Sequence, residues 1–140
     1  MRRLCLLLPV LFLSACSLWP LPKPDPAQAW IDLDSDGKAK LEALSADRKE
    51  LDDKRYFQVW PGSHDLQVRY QFEVQPTNIG AQVADPLPRT CLVTLNYKAF
   101  AAGERYRLEA GQTGWRPWAR LYDERNQEVA HSNASRCGDV

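Results

Sequence analysis

A chain of 140 residues with 44% apolar and 26% charged side chains has room for one globular core, which excludes both a disordered polymer and a multidomain enzyme. Basic and acidic residues number 18 each, so there is no cationic excess to hold a polyanion, and nucleic acid is not an expected partner.

Met1, Arg2 and Arg3 form a basic start, and residues 4–13 (LCLLLPVLFL) are an unbroken apolar run. The run is too short to cross a hydrocarbon core of ~30 Å, and Pro9 and the paired arginines disfavour a buried helix, so an export signal is expected. Next comes Leu13-Ser14-Ala15-Cys16, which resembles the lipobox of bacterial lipoproteins at every position. The resemblance implies a diacylglyceryl group on the Cys16 sulfur, cleavage after Ala15 and acylation of the new amino group. Each buried acyl methylene contributes about 0.8 kcal/mol, so two or three chains hold a protein at a bilayer where one binds reversibly. Ser17, where Asp would favour retention in the inner membrane, implies by the same resemblance an outer-membrane, lipid-anchored protein facing the periplasm. Losing Arg2 and Arg3 with the leader would leave 16 basic against 18 acidic side chains.

The expected divisions are residues 1–15 as signal peptide, 16–29 as lipidated cysteine and tether, and 30–140 as one domain. Prolines at 20, 22, 24 and 26 forbid helix and sheet between residues 17 and 29, which predicts a stiff, solvated strap. At ~3.1 Å per residue such a strap reaches about 40 Å and would lift the domain off the lipid. With Cys5 discarded and Cys16 acylated, Cys91 and Cys137 remain as a pair in an oxidising compartment, and a disulfide between them is expected.

Within the domain, residues 30–33 offer a first strand. Residues 40–46 are open to helix or strand, and the turn-like Asp47-Arg48-Lys49 favours strand. Residues 55–60 lead into Pro61-Gly62, a turn signal predicting a hairpin with the strand from Leu66. Leu66, Val68, Tyr70, Phe72 and Val74 alternate with polar residues at period two. A second alternation, Cys91, Val93, Leu95, Tyr97 and Ala99, precedes a turn at 101–104 and Tyr106, Leu108 and Ala110, and predicts another hairpin. Residues 118–122 and 128–132 flank the turn at 123–127 as a third. Residues 75–90, with three prolines, read as a long surface loop suited to recognition. The sum is a mainly β fold, an antiparallel sandwich or open barrel of about seven strands.

The segment Pro61-Gly62-Ser63-His64-Asp65-Leu66-Gln67-Val68 resembles the P-G-x-H-x-L-x-V stretch of small envelope lipoproteins with transthyretin-like or PEGA-like sandwich domains. That resemblance implies a fold and carries no catalytic residues.

Asp32, Asp34, Asp36 and Gly37 copy the opening of an EF-hand calcium loop. The copy fails where Ala39 and Ala43 replace the apolar and bidentate positions, so an acidic turn is the simpler expectation and no metal or cofactor is implied. His64 beside Asp65 suggests an acid/base dyad, yet neighbours on a strand point to opposite faces. His131 is isolated, and Asn133-Ala134-Ser135 is a glycosylation sequon without meaning in a bacterial lipoprotein. Trp115 and Trp118 could form an aromatic platform for glycans such as peptidoglycan, or pack in the core. No hydrolase, metalloprotease or nucleotide-binding motif occurs, so no enzyme is expected. The expected role is a binding or accessory module for another envelope protein, with a glycan-binding module and a small enzyme inhibitor as alternatives.

Overall fold

The computed structural model describes residues 19–74 and 85–138, so the signal, Cys16 and most of the expected recognition loop lie outside it. The described residues contain no helix and form nine strands. In chain order these are β1 (Ala29–Ser35), β2 (Lys40–Ala46), β3 (Lys49–Glu50), β4 (Tyr56–Val59), β5 (Gly62–Val74), β6 (Leu87–Phe100), β7 (Arg105–Thr113), β8 (Arg116–Tyr122) and β9 (Glu128–Cys137). The fold is mainly β, as expected, with two more strands than anticipated and one parallel pair, β1 with β7, in an otherwise antiparallel sheet.

The hydrogen-bonded order is β3-β2-β5-β6-β9-β8-β7-β1-β4, and the sheet folds back on itself at β9. Residues 128–131 of that strand bond to β8, whereas residues 132–137 bond to β6, with a register break in each ladder. One half therefore comprises β4, β1, β7 and β8, the other β3, β2, β5 and β6. Their inner faces share one core, to which Ile31, Phe57, Leu108 and Leu121 come from the first half and Leu66, Val68, Val93 and Leu95 from the second. Burying each such side chain contributes about 1.5–3 kcal/mol.

The period-two pattern of β5 survives intact, with all five apolar residues from Leu66 to Val74 buried. Residues 40–46 are strand, and the hairpin of residues 118–122 with 128–132 forms around Asp123, whose carboxylate accepts from the Arg125 and Gln127 amides at 2.9 and 3.0 Å.

Two expected hairpins do not form. β4 pairs with β1 rather than with β5, and β6 pairs with β5 and β9 rather than with β7. In both places the turn carries the chain across from one half to the other. The second crossing is packed by Tyr97, Phe100 and Tyr106, whose rings meet edge to face at 4.8 to 5.8 Å, and the Ala101 amide donates to the Tyr106 hydroxyl at 3.0 Å. Ala99 is exposed and Phe100 is buried in its place, because an irregularity opposite Gly62 and His64 inserts a residue into β6 and reverses its alternation. Residues 87–90, expected in a loop, already belong to β6, paired with residues 71–74.

Candidate functional site

The tether is attached to the domain. Trp30 alternates with the buried Ala29 and Ile31, so its side chain lies on the outer face of β1, yet only 2% of the residue is exposed. Its ring stacks on Tyr56 at 4.2 Å and its indole nitrogen donates to Asp32 at 2.8 Å. Pro24, Asp25 and Pro26 share a hollow with Trp30 and Arg105. The Asp25 amide donates to Gln58 Oε1 at 3.0 Å, and Arg55 Nη1 donates to the Trp19 carbonyl at 2.6 Å. A turn follows, with the Gln28 amide donating to Asp25 O and the Gly103 amide to Gln28 O, both at 3.0 Å. Gly103 has φ +75, and a Cβ there would stand 3.3 Å from the Pro26 carbonyl, so this junction needs glycine. Residues 19–27 are exposed and outside any strand, as expected of a solvated strap, but they are hydrogen-bonded to the domain at Trp19 and Asp25, and Ala29, expected in the strap, already belongs to β1.

Cys91 and Cys137 are bonded, as expected. They are directly opposed partners in the β6–β9 ladder, so the bond ties the last strand to the second half.

The acidic stretch serves the fold. Asp32 pairs with Arg105 at 2.6 Å, and Asp34 with Arg107 at 3.4 Å. Asp36 closes the following turn by accepting from the Lys38 and Ala39 amides at 3.2 and 3.1 Å. Burial pushes the Asp32 carboxyl up, but the hydrogen bonds from Arg105 and Trp30 outweigh it and hold the group below its ordinary range. Among the described residues no group of three metal-ligating side chains comes together, and these three aspartates do not converge.

Nor do the two tryptophans make one platform. Trp118 lies on the outer face of β8, where it covers Gly111 so closely that a Cβ would come 2.5 Å from its ring. Arg120 sits over the Trp118 ring at 4.5 Å. Trp115 stands at the β7–β8 turn, 49% exposed, with Arg89 of the other half over its ring at 5.4 Å. Each ring therefore already has a guanidinium on one face.

His64 has a carboxylate partner, though a different one from its neighbour. Nδ1 contacts Asp47 Oδ2 at 2.5 Å and Nε2 contacts the Trp60 carbonyl at 2.6 Å. Both partners are acceptors, so both contacts are hydrogen bonds only when each ring nitrogen carries a proton. Asp65 instead accepts from Asn96 at 2.8 Å, and its amide donates to Asp47 Oδ1 at 2.9 Å. The hydrogen bond from His64, followed by that from the Asp65 amide, holds Asp47 below its ordinary value. Asp47 and Arg48 have φ of 49° and 67°, a tight reversal from β2 into β3 that these contacts hold in place. The assembly clasps the β2–β3 turn to the start of β5. Only the turn character of residues 47–49 was visible in the sequence; the seventeen-residue gap to His64 carried no signal.

Above this clasp, the outer face of β2, β5 and β6 carries an open hollow of about 610 Å³ lined by Arg48, Glu50, Asp65, Gln67, Arg69 and Thr94. Leu44 and Leu66 line it as well, its charges are mixed and its floor is sheet. Comparison with family models, curated proteins and solved structures gave no match.

Proposed function

We propose that this chain is an envelope lipoprotein, anchored through Cys16 on the periplasmic side of the outer membrane, whose β domain is a non-enzymatic binding or accessory module. The observation that carries the reading is the basic start and apolar run ending in Leu13-Ser14-Ala15-Cys16. The disulfide fits the oxidising compartment that such an address implies. The mixed-charge hollow on β2, β5 and β6 favours another envelope protein as the partner over a glycan, since each tryptophan ring of the expected sugar platform is already stacked by an arginine.

Cys16→Ser expressed with its leader should lose fatty-acid incorporation and move from the detergent phase to the aqueous phase on partitioning. Unchanged partitioning would remove the anchor from the account. Crosslinking in intact cells should capture a protein through label placed at Arg48 or Arg69, and retention on purified peptidoglycan without such a product would favour the glycan reading instead.

A further inference from the structure

The surface offers the β2–β5–β6 hollow, the Trp115 turn and the start of the strap, where Trp19 is exposed. At the strap, chain length fixes what must lie beside it. We infer that residues 19–28 clamp the domain directly onto the lipid headgroup layer, with Trp19 as the side chain that enters it. The inference rests on the lipid-anchored reading of Cys16.

Three peptide units separate Cys16 from Trp19, a span of at most about 11 Å even when fully extended. A free strap over residues 17–29 would reach about 40 Å. The Arg55 guanidinium holds the Trp19 carbonyl at 2.6 Å and is itself fixed by two hydrogen bonds to Asp53, at 2.9 and 2.7 Å. Gln58 secures the strap again at Asp25. The acyl chains must therefore enter the bilayer close to β4, and the slack that would let the domain stand away is taken up against the sheet. At that end Trp19 is 79% exposed and Leu21 49% exposed. Single exposed apolar residues need no explanation, but these two stand where lipid has to be, and an indole suits the headgroup level. The local charges, Lys23 and Arg55 against Asp25 and Asp53, balance, so docking draws on apolar contact and not on anionic lipid.

The full chain, expressed with its leader, is first checked for acylation by intact mass. It is then reconstituted into vesicles of phosphatidylcholine, with and without phosphatidylglycerol, containing lipid brominated near the glycerol. Tryptophan fluorescence should be quenched to the same extent in both vesicles, and Trp19→Phe should abolish the quenching. The double variant Arg55→Ala, Gln58→Ala frees the strap, and on a supported bilayer neutron reflectometry should show a hydrated gap of up to about 30 Å that the parent protein lacks. Acylated protein whose quenching survives Trp19→Phe, or which already stands off the bilayer, overturns the clamp while leaving the anchor intact. A product without acyl chains overturns the anchored reading itself, and the clamp with it.

Discussion

The two halves of the sheet are held by different means. The half built from β2, β5 and β6 rests on long ladders: β5 and β6 run 13 and 14 residues side by side, and the disulfide pins β9 to their edge. In the half built from β4, β1, β7 and β8, β1 lies between two strands distant in sequence, and the outer face is dressed with the Trp30–Tyr56 stack, the Asp32–Arg105 and Asp34–Arg107 pairs and the proline strap. Continuous pairing lets a strand announce itself by periodicity alone. A short strand set between distant neighbours depends on what covers it.

That contrast can be broken at its strongest point by removing the disulfide. It closes a separation of 46 residues, for which chain entropy gives about 4 kcal/mol, so Cys91→Ser with Cys137→Ser should shift the urea midpoint far down while the β signature in circular dichroism persists. Gly111→Ala attacks the other half. The new methyl must displace the Trp118 ring, costing about 1–3 kcal/mol and altering the near-ultraviolet dichroism, whereas alanine at the exposed Gly37 should leave both unchanged.

The halves are also joined by the hydroxyl of buried Tyr70 on β5, which donates to Gln112 on β7. Tyr70→Phe should cost about 1 kcal/mol. Burial pushes this phenol up to about 12 from its ordinary 10.0. Its contribution is complete below pH 10 and is lost as pH rises toward 12, so the parent protein should destabilise across that window and the phenylalanine variant much less.

The smallest effect belongs to the surface carboxylates. Asp32 and Asp47 titrate below 3.8 in the folded chain, so the stability they confer is present above that pH and lost as pH falls through their lowered values. Asp32→Asn should flatten the acid limb of the unfolding free energy, measured by urea at a series of pH values, by less than about 1 kcal/mol, because the pair with Arg105 is open to solvent.

Much of this could be read locally. The alternation from Leu66 to Val74, the turn after Tyr122 and the strand at residues 40–46 all follow from side chains within a few positions of one another. Misreadings arose where a turn reverses the chain without pairing its flanks. Pro61-Gly62 and residues 101–104 look the same whether the next strand lies beside the last or across the core. The outward Trp30 was legible as part of a strand, but its burial needed Tyr56 and the prolines. His64 was legible as a polar residue near a turn, whereas Asp47 reaches it only through the β2–β5 ladder.

By itself, the sequence determined the β class and the apolar face of β5, because period two acts at short range; it also led to the expectation of the Cys91–Cys137 bond, which the structure contains. Tertiary structure alone decided that β1 lies between β4 and β7 and that β5 pairs with β6, where the sheet folds over at β9, and that the proline segment is tied to the domain at Trp19 and Asp25. Those outcomes depend on matching surfaces between residues far apart in the chain, and no local pattern encodes such a match.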